Sequence, residues 1–549
     1  MVETLDTRAP WHAALWVTAA SVLMAAIDLG QRILATNDEA RFAMLAQDVL
    51  TRGAWLFPEL NGVAYNNKPP LQAWLIALAS WPAGHVTQLT AALPSALAAV
   101  GTALVVFAIG RRLFGVAAGQ MAALVTITTQ GWFLHARLPM PDMLMTFFIT
   151  AAVALLCPIV EGRTGPWWLG FWGAMAAAFW AKGAASLLPL AVAVAWGLVL
   201  RRPGWWRALR LPSGLALFAA LIAPWWIGKL VTQTAEMRDT VVSDNLLWYL
   251  PRSLVVLAGP PQHLVGILFP WVLVLPPAVW QAVTAVRRHA PEREALGLTI
   301  AWAVTLLACV GIAEQQRLRY YLPLVPPAAL LIGWWAARTA SKERAEHRMS
   351  WRAYAGIAAV LSLATTVAAL ARPTWSEARH VAFPTSAVEA GIMAAGLVVM
   401  LAALAYGASR RRLRQVFAVA CVGGALWVTA WYHWELERRN AAYDYPRVRA
   451  KALRLLPEAP VVATWGVYDL PLSFYLGRRV LPVATLGDLD RVMAEHPRGS
   501  AVLSQAALGE VGDRRHLRVL PLDWLNFDPI VLVSYPDATA PRVGSGSRP

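Results

Sequence analysis

Residues 37–70 read NDEARFAMLAQDVLTRGAWLFPELNGVAYNNKPP, a polar stretch set between apolar runs. It opens on the acidic pair Asp38-Glu39 with Arg41 close behind, runs through a helix-like segment, and closes on Lys68 before two prolines. A carboxylate beside a bilayer is costly, so Asp38 and Glu39 read either as solvent-facing residues of a helix start or as part of a site. Thr36-Asn37 just before them suits a helix N-terminus with an asparagine cap and acids in the first turn.

The surroundings are those of a polytopic membrane protein. Of 549 residues, 58% are hydrophobic and only 15% charged, and 28 are tryptophan, outside the range of soluble domains. The formal charge of +16 would suggest nucleic acid in a soluble protein, but the arginines fall in short clusters between apolar runs and read as topology signals. No nucleic-acid partner is expected. Cys157, Cys309 and Cys421 lie in apolar segments without CxxC or histidine spacing, so neither a disulfide framework nor a zinc site is indicated.

Apolar runs near 11–27, 88–109, 115–134, 142–160, 166–181, 184–200, 212–231, 263–285, 294–313, 319–337, 352–371, 385–407 and 415–433 predict about 13 transmembrane helices. Alternate loops carry the arginine clusters, including Arg111-Arg112, Arg201-Arg202, Arg287-Arg288 and Arg410–Arg412, and these predict the cytoplasmic side. The loop 37–70, the stretch around His135–Asp142, the neighbourhood of Lys182 and Glu314–Arg319 then face outward together. Leu71–Trp81 is too short to span and starts after Pro69-Pro70, so an interfacial helix is expected, with interfacial helices confined to 29–87. An odd number of spans puts the N-terminus in the cytoplasm and the C-terminus outside. From residue 434 the pattern changes to alternating stretches such as APVVATW, SAVLS and PIVLVSY, which predict a soluble α/β domain over 434–549 with a disordered tail.

On the outward side the chemistry-bearing residues accumulate. Asp142, in RLPMPDMLM, precedes an apolar run and suits a helix cap or a second site carboxylate. Lys68, Lys182, Arg317 and Arg319 each suit an anchoring or snorkelling cation taken singly. Taken together, fixed cations beside two carboxylates suit a phosphate-bearing substrate, the cations neutralising a departing phosphate and one carboxylate acting as base. Tyr320 and Tyr321 fit an interfacial aromatic belt or hydrogen bonds to that same phosphate. His263 stands alone at another outward span start and is read as structural. No P-loop and no GxGxxG after a strand supports a nucleotide enzyme.

DEAR at 38–41, N-G-x-x-Y-x-x-K-P-P at 61–70 and the Asp142 motif together resemble the polytopic glycosyltransferase-C superfamily, within it the aminoarabinose transferase and protein-mannosyltransferase-like group. Weaker similarity runs through Ala181-Lys182-Gly183, Pro224-Trp225, Pro270-Trp271 and Arg319–Pro323, and PLSFYLGRRV at 471–480 resembles a segment of the group's periplasmic domain. The resemblance implies a multi-pass inner-membrane enzyme, 1–433 forming the transferase domain. It would take a sugar, 4-amino-4-deoxy-L-arabinose or a related pentose or hexose, from undecaprenyl phosphate to a periplasmic acceptor such as lipid A or a protein.

On that resemblance Asp38 is the catalytic base, Asp142 the second motif acid, and Lys68 and Lys182 the phosphate-facing lysines, while the family tyrosine is Tyr320 or Tyr321. Glu39, Arg41 and Asn67 would support the site. Asn67 is a departure, since the aminoarabinose group carries Glu before the loop lysine; the histidine-rich outward loop is also reduced, to His263. No cofactor is indicated; a divalent metal is compatible with the chemistry, but no ligand cluster marks a place for one. A secondary transporter of a lipid-linked sugar would use similar charges, but internal repeats and mid-span charges are missing from the sequence. A non-enzymatic envelope scaffold would account for the soluble domain and leave the outward charges without a use.

Overall fold

The computed structural model describes residues 10–163, 165–201, 204–232, 256, 259–341, 356, 413–512, 517–526 and 528–534. The spans expected at 352–371 and 385–407, most of the 232–262 loop, Arg410–Arg412 and the tail beyond 534 lie outside them.

The membrane part opens with α1 (Pro10–Ala26), followed by the polar first loop. In that loop α2 (Asn37–Arg52) forms an amphipathic helix whose buried face includes Phe42, Leu45 and Val49. Its cap differs from expectation. Thr36, in extended backbone, is the N-cap, and its hydroxyl accepts from Glu39 N at 3.4 Å. Asn37 already sits inside the helix and uses its side chain elsewhere. Gly53, at φ 70°, ends α2 in the left-handed conformation that favours glycine.

A two-strand hairpin follows, β1 (Glu59–Leu60) and β2 (Val63–Ala64), turning through Asn61 (φ 51°) and Gly62 (φ 82°). Two consecutive positive φ angles are what an Asn-Gly type I′ turn supplies. The expected interfacial helix is α3 (Leu71–Ser80), at about 1.5 Å per residue far too short to cross.

Next come α4 (Gln88–Phe114), α5 (Val116–Ile127), the short α6 (Gln130–His135), α7 (Pro141–Val160), α8 (Trp167–Lys182), α9 (Leu188–Val199), α10 (Trp205–Ala208) and α11 (Leu211–Thr232). Then α12 (Gly259–Leu268), α13 (Leu275–Arg287), α14 (Arg293–Gly311), α15 (Val325–Ser341) and α16 (Leu413–Ala442) complete the described membrane part. Six helical stretches among the described residues are long and apolar enough to cross a membrane. Of the runs read as single spans, 115–134 divides into α5 and α6 at Thr128-Thr129, 184–200 begins in a 3-10 turn at Gly183–Leu187, and two others are broken at prolines. The run at 263–285 splits into α12 and α13 around a 3-10 turn at Trp271–Leu273, and the run at 319–337 begins as a 3-10 turn over Leu318–Leu324. Prolines lie at both breaks: Pro270, Pro276 and Pro277 at the first, Pro323, Pro326 and Pro327 at the second. Each lacks an amide hydrogen, which the first turn of a helix tolerates and its interior does not.

The C-terminal part is an α/β unit: α17 (Tyr445–Leu455), β3 (Val461–Trp465), α18 (Asp469–Leu476), β4 (Leu481–Pro482), α19 (Leu486–Glu495), β5 (Ser500–Ser504), α20 (Gln505–Val511), β6 (Arg518–Leu525) and β7 (Asp528–Ser534). The sheet order is β4-β3-β5-β7-β6, with β3 parallel to β4 and β5 and the remaining pairs antiparallel. Alternation along β7 sends Ile530 and Leu532 to the face covered by α17 and α18, and Val531 and Val533 to the face covered by α19 and α20. Strand β6 breaks the expected alternation with Pro521, which an edge strand can hold because one side of it needs no ladder hydrogen bond.

This unit is not an appendage. Ile33 and Ala35 of the first loop belong to its core, and Leu470 of α18 packs in the cluster formed by α2 and α3. Asn440, at the end of α16, accepts from Ile33 N and donates to Gln31 O, and the Tyr475 hydroxyl accepts from Leu34 N.

Candidate functional site

The first loop, the Leu318–Leu324 turn, the start of α7 and the end of α8 meet at one end of the helix bundle. Asp38, in the first turn of α2, is held there by three guanidinium groups. Its Oδ2 accepts from Arg317 Nη1 at 2.8 Å and from Arg319 Nη2 at 3.0 Å, and its Oδ1 from Arg41 Nη1 at 3.0 Å. Partial burial alone would raise the Asp38 pKa; Arg319, Arg41 and Arg317 outweigh it and hold the carboxyl below its ordinary value. The group is ionised at neutral pH.

Glu39 points the other way, although it is the next residue. It is buried, accepts from Arg32 Nη2 at 3.0 Å and Arg439 Nη2 at 2.9 Å on Oε1, and from Ala35 N at 2.8 Å on Oε2. Burial opposes its charge, and Arg32 and Arg439 more than restore it, leaving the pKa lowered. Its visible work is to fasten the first loop to the end of α16.

Asp142 stands in the first turn of α7 after Pro141, at the positive end of the helix dipole, and is 1% exposed. Lys182, the last residue of α8, donates to its Oδ1. The Lys182 ammonium also lies 4.5 Å from the centre of the Tyr320 ring. Lys68, half-buried in the loop before α3, lies within electrostatic reach of Lys182, Asp142, Arg41 and Arg319; burial first and Lys182 second push its pKa down to about 8. The two tyrosines separate: Tyr320 faces Lys182, whereas the buried Tyr321 donates its hydroxyl to Gln316 Oε1 at 2.6 Å and stacks on His263.

A cavity of about 530 Å³ opens beside Asp38, lined by Thr36, Asn37, His135, Met140, Arg317 and Arg319 among others. A second, of about 450 Å³, also reaches α2 at Asn37 and includes Arg41, Tyr65, Asn67 and Arg479. Asn67 therefore borders the second cavity. Among the described residues no group of three His, Cys, Asp or Glu side chains is arranged to hold a metal ion.

Three contributors escape a reading of the sequence. Asp469 accepts from Asn37 Nδ2 and from Asn61 Nδ2, each at 2.8 Å, which joins α2 and the hairpin turn to α18. Arg137 donates to the carbonyls of Ile27, Phe133 and Met24, closing the C-terminal end of α1, with its guanidinium 3.5 Å from the Phe133 ring centre. His135 lines the first cavity. Only Arg137 carries a local signal, a charge five residues before Asp142.

Comparison with known proteins agrees with this architecture. The ArnT crystal structure from Cupriavidus metallidurans bound to undecaprenyl phosphate superposes with a TM-score of 0.77 at 22% identity, covering 98% of this chain and 100% of that one. The fold is of the glycosyltransferase-C type. Residues 67–227 match the family model for dolichyl-phosphate-mannose-protein mannosyltransferase. Curated relatives include the undecaprenyl phosphate-alpha-4-amino-4-deoxy-L-arabinose arabinosyl transferase of Pectobacterium carotovorum, 29% identical over 63% of each chain, and that of Sodalis glossinidius, 28% identical over 65% of each. The matches thus span a little under two thirds of those relatives' length. With its apolar helices and these relatives, the chain is a multi-pass inner-membrane protein.

Proposed function

We propose that this protein is an inverting glycosyltransferase that moves 4-amino-4-deoxy-L-arabinose, or a closely related sugar, from undecaprenyl phosphate to a periplasmic acceptor, lipid A in the first instance. The observation that carries this reading is the meeting of Asp38, fixed by three arginines, with a cationic pocket made by Lys68, Lys182 and Arg319 around Asp142. The names of the curated relatives and the undecaprenyl phosphate in the similar crystal structure support the choice of donor.

In the reaction an acceptor oxygen attacks the anomeric carbon from the face opposite the phosphate. The bond from that carbon to the phosphate oxygen breaks, its electron pair leaves with undecaprenyl phosphate, and the anomeric centre inverts. The departing phosphate gains negative charge, which Lys68, Lys182 and Arg319 neutralise; Asp142 positions the Lys182 ammonium. Asp38 takes the acceptor proton. Its lowered pKa makes it a weak base, better matched to the acidic proton of a phosphate monoester, whose second pKa is about 6, than to an alcohol.

Residues 1–433 act as the catalytic membrane domain and 434–549 as a periplasmic domain, with the N-terminus cytoplasmic. The test is a reconstituted assay with undecaprenyl-phosphate aminoarabinose and lipid A, read by mass spectrometry. The wild type is expected to add one sugar mass to lipid A, and Asp38→Asn to lose about 10²-fold or more in rate. Unimpaired transfer by Asp38→Asn would remove Asp38 from the chemistry, and a mass increment found on protein instead of lipid A would move the acceptor to the class named by the matched family model.

A further inference from the structure

The second cavity borders the site above at Arg41 and Asn67, and its construction is specific. It is formed where the β1–β2 hairpin, the start of α2 and the C-terminal sheet edge at Leu481-Pro482 meet, and it encloses about 450 Å³. The Asn61-Gly62 turn is pinned to the C-terminal unit, with Asn61 Nδ2 donating to Asp469 Oδ2 at 2.8 Å and to Val480 O at 3.2 Å. Arg479 lies directly over Gly62: a methyl group built on Gly62 would come within 2.5 Å of its Nη1. The turn thus lets the guanidinium lie against bare backbone at Gly62, whose φ of 82° favours glycine.

Arg479 has no carboxylate within ion-pair distance among the described residues. The carboxylate that shares its cavity, Asp469, has both oxygens taken by the amides of Asn37 and Asn61. At the opposite wall stands Arg41, whose Nη1 is 3.0 Å from Asp38 Oδ1 and whose guanidinium faces the Tyr65 ring at 6.0 Å. A group seated between Arg479 and Arg41 is thus one side chain away from the carboxylate that receives the acceptor proton. An exposed arginine without an acid, a second guanidinium opposite it and an aromatic wall fit an anionic phosphorylated headgroup, for which the guanidinium fork is the matching donor.

We propose that this cavity seats the anionic headgroup of the acceptor, with Arg479 as the contact that selects an acceptor bearing phosphate. The assignment rests on the transferase reading above. It places the donor phosphate at Lys68 and Lys182 and the acceptor against Arg479, with Arg41 between them. It also makes the C-terminal unit part of substrate selection.

The test uses the full-length protein in nanodiscs, undecaprenyl-phosphate aminoarabinose at saturation, and purified lipid A or its dephosphorylated form as acceptor probe. Arg479→Glu is expected to raise the KM for lipid A by about ten- to hundredfold, the span of one charged hydrogen bond, with kcat little changed, and Arg479→Lys to recover part of the loss. Affinity for undecaprenyl phosphate, measured separately, should not move. An unchanged KM in Arg479→Glu overturns the proposal, as does equal loss of undecaprenyl phosphate affinity, which would give the cavity to the donor. A wild-type protein that binds undecaprenyl phosphate but transfers no sugar to lipid A or protein overturns the transferase reading itself. Because the Arg479 side chain is exposed and unpaired, an unaltered melting temperature in both variants is the expected control.

Discussion

Asn37 Nδ2 donates to Asp469 Oδ1 at 2.8 Å, and Asn37 Oδ1 accepts from Leu470 N at 3.2 Å, so one amide in the first loop ties α2 to α18 across more than 400 residues of chain. Asn37 precedes Asp38, and the tie therefore fixes the helix turn that carries the candidate base. Asn37→Ala leaves a nearly buried carboxylate short of a donor and should cost about 1.5–3 kcal/mol. Thermal unfolding in detergent would read the loss, and a transfer rate that falls with it would separate this contact from a remote surface bond. An Asn37→Ala protein as stable and as active as wild type would leave the tie without consequence.

The Asp142–Lys182 pair is buried, and deleting either partner strands the other. Asp142→Ala or Lys182→Ala should each cost about 3–5 kcal/mol, whereas the apolar double substitution Asp142→Leu/Lys182→Met should cost much less than their sum. Stability of the single and double variants, compared as a cycle, checks the coupling. Transfer should be lost in all three: Lys182→Ala and the double variant remove the cation facing the departing phosphate, and Asp142→Ala removes the carboxylate that positions it.

Lys68 gives the site a pH dependence on the alkaline side. Its pKa is about 8 in the folded protein against 10.5 for a free side chain, so it loses its charge as pH rises through about 8. Undecaprenyl phosphate affinity should fall across that range, and Lys68→Met should abolish the step. For stability the sign is opposite: between about 8 and 10.5 the unfolded chain binds the extra proton, so Lys68 alone makes stability rise with pH in that window. Titrating affinity and unfolding in the same buffers would show the two slopes of opposite sign.

Tyr320 and Tyr321 should respond differently to substitution. Tyr321→Phe removes the hydroxyl that Gln316 Oε1 accepts and should cost about 1 kcal/mol of stability with transfer retained. Tyr320→Ala takes an aromatic face from Lys182, a contact of about 0.5–2 kcal/mol, and should lower kcat by up to about thirtyfold. Steady-state kinetics of the pair checks this, and a larger kinetic defect in Tyr321→Phe would reverse the assignment.

Much of this was legible because membranes punish misplaced charge. Asp38, Lys68, Asp142, Lys182 and Arg319 stand out against an apolar background, and the arginine clusters of the alternate loops assign them to one side. What stayed hidden was pairing at long range. No local pattern says that Asn37 leaves the cap to Thr36 and reaches for Asp469, or that Glu39 turns from Asp38 toward Arg439. Helix phase decides both, since each residue along α2 turns the side-chain direction by about 100°. The broken runs at 263–285 and 319–337 were written in their prolines, yet hydropathy averages across such breaks. Strand β6 was missed because Pro521 masks an edge strand.

The bond between Asn37 and Asp469 also has a consequence for biogenesis. The first loop emerges early in synthesis and contains Asp38 and Lys68, but the residue that locks it is made more than 400 residues later. A nascent or prematurely ended chain can hold every charged group of the pocket in the bilayer and still lack the clamp that aligns them. The alignment of the first loop is thus completed only when the last part of the chain has been made.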